Sequence, residues 1–278
     1  MNGDLKGHEQ KTGRFTVVHS YKGGTGKSTI AVNLANYLAN EQGKRVLFIE
    51  ADTQAPTLER VFNVTPEYYW KDFFDGKNIT DLIYPGNESF GFDLILSKYE
   101  NVLDRIKRAK DSNKTVSPKK SIRDLQRLQM QKKWLNNYDH VILDTSPGYY
   151  HTLVNLISIS NDLIIVSTPD VDALSTIIDM YKLFYKYIEE WKKRIIFVQN
   201  KVPGPVQGLE QLEADLYVEK ALNGWENFIR SKKIELVIIP LDLGVAYYLS
   251  RKRKVELGDP FLSPFMTGIE KIVSLLTE

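Results

Sequence analysis

Short apolar runs recur along the chain, and stretches with helical or turn character separate them. Most of the runs are continuously apolar rather than alternating, which is typical of strands buried on both faces. Strands that alternate with helices predict a doubly wound α/β fold, with a mainly parallel sheet and helices on both faces. The expected strands cover residues 15–19, 45–50, 92–96, 140–143, 163–167, 195–199 and 236–239.

The first of these strands leads into a glycine-rich loop, Lys-Gly-Gly-Thr-Gly-Lys-Ser-Thr at residues 22–29, and the pattern predicts a helix over 29–40. Glycines let backbone N–H groups surround an anion, and the helix N-terminus adds partial positive charge. Lys27 supplies a full charge for the β- and γ-phosphates of a nucleotide, and the Ser28 hydroxyl can bind Mg²⁺. The phosphate-loop pattern has one mismatch, because Tyr21 stands where its first glycine belongs. The loop residues expected to bind nucleotide are Gly23, Gly24, Thr25, Gly26, Lys27, Ser28 and Thr29.

Acidic residues follow two other expected strands, at the sheet edge where open parallel sheets bind ligands. Asp52 could orient a water in line with the γ-phosphate, and Glu50 could hold a water of the Mg²⁺ shell. Asp52 could instead only cap the following helix. Asp144 is the kind of carboxylate that supports Mg²⁺ in phosphate-loop enzymes, and Gly148 could present its N–H to the γ-phosphate.

Two more strand ends offer groups for the base of a nucleotide. Asn200 carries both a donor and an acceptor, which suits a purine edge, although an ordinary turn asparagine is the alternative. Pro240 and Asp242 follow the last strand and could form a wall beside the base.

Composition narrows the possible functions. The 278 residues can bury a large core, and 37 Lys and Arg against 35 Asp and Glu give a net charge of +2. The absence of cysteine excludes disulfides, thiolate zinc sites and cysteine-held iron–sulfur clusters within this chain. No apolar run approaches the ~20 residues of a membrane span. We expect a flexible polar arm over 1–14, one cytoplasmic domain over 15–278, and a helical, basic insertion at about 98–136.

Together these segments resemble the ParA/MinD family of deviant Walker A ATPases over nearly the whole chain. The loop with the additional Lys22 is the most specific feature, and the segments 50–54, 138–148, 161–169 and 239–242 are also similar to the family's. Four features differ from the family pattern. Glu50 stands where aspartate is usual and Ser146 where proline is frequent, Tyr21 near the loop is bulky, and residues 60–135 are longer and more aromatic than in a minimal member.

The resemblance implies an ATP-driven switch with ATP and Mg²⁺ as cofactors. Two copies would form a homodimer around two ATP molecules, with Lys22 reaching the phosphates bound by the other copy. Lys27 would bind the β- and γ-phosphates, and Asp52 would position the attacking water, so that Lys22, Lys27 and Asp52 are the candidate catalytic residues. Ser28, Asp144 and Glu50 are the candidate metal residues, and the position of Asn200 contacts adenine in the family.

The expected role is DNA partition or the positioning of another cargo, with an activating partner protein. Two segments are rich in positive charge: residues 105–133 contain eleven Lys and Arg residues, and 251–254 is a basic run. Such charges are ordinary for solvated helices but would also suit non-specific DNA binding. The last helix, 265–278, has an apolar stripe but lacks the basic face of a membrane anchor. We therefore expect it to pack in the core, and we expect no membrane association.

Other functions remain open at this stage. They are a MinD-like, membrane-associated cell-division regulator, a metabolic ATP-dependent ligase or small-molecule kinase of the same superfamily, a tail-anchor targeting ATPase, and a nucleotide-binding regulator without hydrolysis. The double-lysine loop argues against the metabolic enzymes. An aromatic cluster at 68–74 is either a satellite hydrophobic cluster or a partner surface.

Overall fold

The computed structural model describes residues 13–98, 118–148, 151–169, 193–203, 234–245 and 263–278. Within these residues seven strands form one sheet in the order β3-β2-β4-β1-β5-β6-β7, and all neighbouring pairs are parallel. This arrangement confirms the predicted doubly wound parallel fold. The strands are β1 (Arg14–His19), β2 (Val46–Ala51), β3 (Asp93–Ile95), β4 (His140–Thr145), β5 (Asp162–Ser167), β6 (Arg194–Val202) and β7 (Glu235–Pro240).

Helices connect and cover the strands. The first begins at Lys27, two residues earlier than the apolar spacing predicts, because Gly26 takes a left-handed conformation as its N-cap. It continues into a π-helical turn at Tyr37–Glu41, and a 3₁₀ turn covers Ile79–Leu82. The α-helices are α1 (Lys27–Asn36), α2 (Leu58–Phe62), α3 (Trp70–Phe74), α4 (Pro118–Leu135), α5 (His151–Ile159) and α6 (Ser263–Thr277).

The core lies on both faces of the sheet, because successive strand residues point to opposite sides. Phe15 and Val17 of β1 pack on the side covered by α3, α4 and α5. Val18, the next residue, packs on the side covered by α1 and α6. Every one of these side chains is fully buried, which explains why the strand sequences are continuously apolar.

The aromatic residues at 68–74 belong to the first of these core layers. Trp70 and Phe73 are stacked with ring centroids 5.6 Å apart, and Phe74 meets the Trp70 ring edge-on at 5.1 Å. Arg127 of α4 closes the cluster, since its guanidinium lies 4.9 Å from the centre of the Phe73 ring and donates to the Lys77 carbonyl. The cluster is therefore part of the main core rather than a satellite of it.

The last helix confirms the expectation of core packing. Phe265, Ile269, Ile272, Val273 and Leu276 are all buried against the sheet. In the part of the chain that is described, none of the helices combines the length and apolarity that crossing a membrane requires. Residues 105–117 of the first basic segment and the whole basic run 251–254 lie outside the described residues, whereas 118–133 lies within α4. The expected arm at 1–14 also lies outside them up to residue 12, but its last residue, Arg14, already belongs to β1.

The parallel sheet brings the ends of several strands to one edge. Asp144 of β4 lies opposite Val18 of β1 on one side and opposite Glu50 of β2 on the other. The loops that follow β1, β2 and β4 therefore start side by side, and those after β6 and β7 lie at the same edge. Ligands of open α/β sheets bind at this edge.

Phe73→Ala should lower the free energy of unfolding by ~3–5 kcal/mol, because a fully buried ring would leave a cavity. Met130→Ala on α4, whose side chain is 77% exposed, should change it by less than ~0.5 kcal/mol. Urea denaturation followed by circular dichroism measures both. Equal effects of the two substitutions would contradict the burial of the cluster and favour a partner surface instead.

Candidate functional site

The loop between β1 and α1 has the conformation that close approach to an anion requires. Gly24 and Gly26 have φ of 78° and 91°, and Ile30 N–H donates to the Gly26 carbonyl at 2.9 Å, which starts α1. A Cβ atom on Gly26 would lie 2.3 Å from Nδ2 of Asn200, so only glycine fits there. A Cβ on Gly23 would project into open space, where the loop faces a cavity.

Lys27 lies beneath this loop in a buried ion pair. Its Nζ donates to Oδ1 of Asp144 at 2.5 Å and to the Ser28 hydroxyl at 3.3 Å. Burial raises the pKa of the Asp144 carboxyl, while the charge of Lys27 and the hydrogen bonds from Lys27 and Ser28 lower it. Helix α1 and strand β4 thus place the predicted phosphate lysine and two predicted metal residues in direct contact.

The donor set of this cluster fits Mg²⁺. Hydroxyl and carboxylate oxygens are hard ligands, and the oxygens of Ser28 and Asp144 are neighbours. Among the described residues no group of three or more His, Cys, Asp or Glu side chains could hold a metal ion. Mg²⁺ commonly uses one or two protein oxygens and takes its remaining ligands from substrate phosphates and water, so this sparse set is sufficient.

A cavity of about 460 Å³ opens above the loop and fits a nucleotide. Two buried oxygens at this site, Oγ1 of Thr25 and Oδ2 of Asp242, have no hydrogen-bond partner among the described residues. Buried polar atoms are normally paired, so these two oxygens are available to the polar groups of a ligand. The lining includes most of the predicted nucleotide residues: Gly23, Gly24, Thr25, Gly26, Lys27, Ser28, Thr29, Asn200, Pro240 and Asp242.

The end of β6 holds the loop through two side chains. Asn200 donates from Nδ2 to the Thr25 carbonyl at 2.7 Å, and Lys201 donates from Nζ to the Gly24 carbonyl, also at 2.7 Å. Lys201 has a φ of 61° at a bulge in the β6–β7 pairing, which directs the chain there away from a regular strand. Sequence reasoning missed Lys201, although it directly follows Asn200, which was predicted. Contact of Asn200 with a purine stays a prediction.

Asp52 holds a turn and does not cap a helix. Its Oδ1 accepts hydrogen bonds from the backbone N–H groups of Gln54 and Ala55, at 2.9 and 3.0 Å, whereas α2 begins only at Leu58. The Ser146 hydroxyl donates to the same oxygen at 2.8 Å. Asp52 also lines the cavity, as a residue that orients a water must, and this catalytic role stays a prediction.

Glu50 uses both carboxylate oxygens to hold backbone. Oε1 accepts from the N–H groups of Thr57 and Leu58, and Oε2 accepts from the N–H of Ser97. Burial raises the pKa of Glu50, and the hydrogen bonds from those N–H groups lower it by less, so that the pKa is about 8. The structure gives this side chain a structural task that sequence reasoning did not foresee, since its partners lie in separate loops. A role in the Mg²⁺ shell stays a prediction.

The two remaining predicted residues lie at the front of the loop. Gly148 has a φ of 83°, and its N–H donates to the Ser20 carbonyl at 3.0 Å. That hydrogen bond has to break before this N–H can contact a γ-phosphate. Lys22 is exposed, and its carbonyl accepts a hydrogen bond from the Ser20 hydroxyl at 3.0 Å. A reach of Lys22 toward a second copy stays a prediction.

A neutral histidine lies at the end of β1, behind the loop. The Thr145 hydroxyl donates to the Val18 carbonyl at 3.0 Å, so Nδ1 of His19 must be the donor in its 2.8 Å contact with that hydroxyl. Burial, followed by the charge of Lys27, lowers the pKa of His19 to about 3. The histidine therefore adds no second positive charge beside Lys27 at neutral pH.

A glycine-rich loop between a central parallel strand and a helix, with a buried lysine and an acid on the adjacent strand, defines a P-loop nucleotide-binding protein. The family model described as AAA domain (AAA_31) matches residues 13–197, more than half of the chain, and the chain belongs to this family, in its ParA/MinD group of P-loop NTPases.

Individual relatives agree with this assignment. The chain is 28% identical over 165 residues to the septum site-determining protein MinD of Bacillus subtilis, covering 58% of this chain and 56% of that protein. It is 26% identical over 246 residues to the flagellum site-determining protein YlxH of Helicobacter pylori, covering 83% and 77%. The chain thus spans little more than half of the Bacillus subtilis relative.

Solved structures show the same fold. The complex of a McdA variant from Cyanothece with ATP superposes with a TM-score of 0.69 at 18% identity, covering 95% of this chain and 97% of that one.

Replacement of Glu50 by glutamine should change how stability depends on pH. Because the folded-state pKa of Glu50 lies above its ordinary value of 4.5, its contribution is fully present below pH 4.5 and is lost as pH rises through about 8. Between these values the wild type should lose up to ~1.4 kcal/mol per pH unit relative to Glu50→Gln, which cannot ionise.

Urea unfolding at several pH values between 5 and 9 measures this difference. Glu88→Gln, at an exposed loop position, is the matched control and should follow the wild type. Parallel curves for the wild type and Glu50→Gln would show that Glu50 does not change its charge state on folding.

Proposed function

We propose that this protein is an ATP-dependent dimer switch that positions a cellular cargo. ATP brings two copies together, slow hydrolysis to ADP and phosphate separates them, and the bound nucleotide thus times the contact between them. The site residues have the roles expected from the sequence. Lys27 neutralises the β- and γ-phosphates, Lys22 reaches the phosphates held by the second copy, and Asp52 orients the attacking water.

The loop with two lysines, Lys22 exposed at its front and Lys27 buried beneath it, is the observation that carries this proposal. A single nucleotide bound by one copy already has Lys27 at the floor of the cavity. Lys22 lies exposed at the front of the loop, and a second copy across the cavity mouth would bring the two sites face to face. A bound Mg²⁺ would offset phosphate charge, with Ser28 and Asp144 as its protein ligands.

Hydrolysis needs a water held in line with the bond that breaks. The water oxygen bonds to the γ-phosphorus, the bond to the bridging oxygen breaks, and the proton leaves to solvent near neutral pH. Asp52 lines the cavity on the β2 side, and the loop glycines line the phosphate side. Asn200, Pro240 and Asp242 lie at the far ends of β6 and β7, where they would surround the base.

The relatives support the choice of a positioning function. The Bacillus subtilis and Helicobacter pylori proteins are both named as site-determining, for the septum and the flagellum, and the McdA structure contains ATP. Site determination is what the two names share, and a timed ATP switch is our proposal for how a site such as this one would serve it. An activating partner protein, which would accelerate a slow hydrolysis, belongs to the same proposal.

Lys22→Ala should abolish ATP-dependent dimerisation while leaving nucleotide binding by the single copy within about threefold of the wild type, since only the contact with the second copy is lost. Lys27→Ala should reduce nucleotide binding itself by at least tenfold, because a charge-assisted contact with phosphate disappears. Lys71→Ala, an exposed lysine on α3, is the matched control and should change neither property. Light scattering measures mass, and a fluorescent ATP analogue measures affinity.

If Lys22→Ala still dimerises with ATP and hydrolyses it normally, the contact across two copies is wrong. If the wild type stays a single copy with saturating ATP and Mg²⁺, the whole switch is wrong, and turnover as a single copy would favour a metabolic ligase or kinase.

Random-sequence duplex DNA should co-sediment with the protein only when ATP is present, and binding should weaken steeply with salt. The support is the density of cations within 105–133, of which Arg123 on α4 is exposed, whereas Arg127 is used to close the aromatic cluster. Vesicles containing anionic lipid serve as the parallel probe. Binding to vesicles alone would replace DNA with a membrane as the surface on which the switch acts.

A further inference from the structure

A direct hydrogen bond joins the loop after β2 to the loop after β4. The Ser146 hydroxyl donates to Oδ1 of Asp52 at 2.8 Å, although the two residues lie 94 positions apart in sequence. Both are buried, Ser146 with 1% and Asp52 with 7% of its surface exposed. A hydrogen bond to a carboxylate shielded from water is worth more than a neutral, exposed one.

This bond decides which oxygen of Asp52 can serve a water. Oδ1 already accepts from the N–H groups of Gln54 and Ala55, and Ser146 supplies a third donor. Each oxygen of an ionised carboxylate offers about two lone-pair sites, so three donors saturate Oδ1. The water would therefore be held by Oδ2, and the orientation of that oxygen depends on the three contacts to Oδ1.

Of these three donors, Ser146 is the only one outside the turn that Asp52 itself forms. The two backbone donors move with the turn, so they fix Asp52 relative to its own loop. Ser146 instead follows β4 directly, two residues after Asp144, and fixes Asp52 relative to the centre of the sheet. Proline, which is frequent at this position in the family that the sequence resembles, has no hydroxyl and cannot make the bond.

We propose that Ser146 is a positioning residue for ATP hydrolysis, which acts by holding the carboxylate of Asp52 through Oδ1 so that Oδ2 faces the attacking water. This inference rests on the proposed function, because it assigns a task to the hydrolytic site. The contact between Ser146 and Asp52 also joins the loop after β4 to the loop after β2, and both loops face the proposed nucleotide site. Two residues after Ser146, the N–H of Gly148 donates to the Ser20 carbonyl, so a movement of this loop toward nucleotide would carry the Asp52 contact with it.

The test is a double-mutant cycle in the full-length protein, using Ser146→Ala and Asp52→Asn. Ser146→Ala should lower kcat roughly tenfold and leave KM within about twofold, since the contact orients a carboxylate and binds no substrate. In the Asp52→Asn background the same serine substitution should have almost no further effect. Ser158→Ala, which removes a hydroxyl bonded to the Asn155 carbonyl within α5, is the control and should leave kcat unchanged.

Additive effects of the two substitutions would overturn the proposal, because Ser146 would then act without Asp52. A fall in melting temperature with unchanged kcat would likewise show that the serine only stabilises the fold. An equal loss in kcat for Ser158→Ala would indicate a general loss of rigidity.

Amide hydrogen exchange separates this inference from the proposed function. Gln54 and Ala55 N–H groups bond to Oδ1 of Asp52, so they should exchange faster in Ser146→Ala without any nucleotide present. If the wild type proves unable to hydrolyse ATP, the proposed function fails. In that case, unchanged exchange of the two amides in Ser146→Ala would also reject the contact between Ser146 and Asp52. Faster exchange would show that the contact links the two loops, although it would not serve hydrolysis.

Discussion

The buried ion pair between Lys27 and Asp144 is the contact on which the rest of the site depends. Removing two charges from water costs of order several kcal/mol per ion, and only close, well-aligned pairing offsets that cost. Both side chains are almost fully buried, so neither can lose its partner without leaving an isolated charge. The pair therefore ties the first turn of α1 to the central strands. The Lys27 ammonium has three N–H donors, of which Asp144 and Ser28 accept two, so the pair leaves one donor for a further acceptor.

The other polar groups at this edge are arranged around that constraint. Asn200 and Lys201 bind carbonyl groups of the loop, so the loop N–H groups are directed toward the cavity. His19 stays neutral beside Lys27, and the raised pKa of Glu50 keeps a third carboxylate near Asp144 largely uncharged below pH 8. The carbonyl groups of the loop are thus held by an amide and a lysine side chain from β6, and the ion pair of Lys27 with Asp144 lies beneath the loop.

The sequence predicted all seven strands and the phosphate loop because both have local signals, namely continuous apolar runs and clustered glycines. Strand β6 was predicted to end at residue 199, since Asn200 and Lys201 are polar, but a bulge lets the pairing continue to Val202. The start of α1 was predicted two residues late for a similar reason, because Lys27 and Ser28 carry no apolar signal. The predicted ends of strands and helices were therefore wrong where polar residues of the candidate site continue the element.

Contacts between separate loops could not be predicted in the same way. The partners of Glu50 include Ser97, 47 residues away, and Lys201 reaches Gly24 across 177 residues. A single sequence contains no signal for such distances, and hydrogen bonds to backbone groups do not depend on the partner's side chain. From the sequence, Glu50 was a candidate for the Mg²⁺ shell, and both Glu50 and Ser146 were positions that differ from the family pattern. The partners that they have in the structure depend on how the sheet places neighbouring loops.

The strand order has a consequence for how this protein is made. Strand β1 is synthesised first but lies at the centre of the sheet, between β4 and β5, whose residues 140–145 and 162–167 emerge much later. Domains usually fold as units during translation, and long-range parallel pairing is slow. A ribosome-bound chain therefore carries its apolar first strand without its sheet partners through more than a hundred further residues, so that strand stays open to other contacts until β4 emerges.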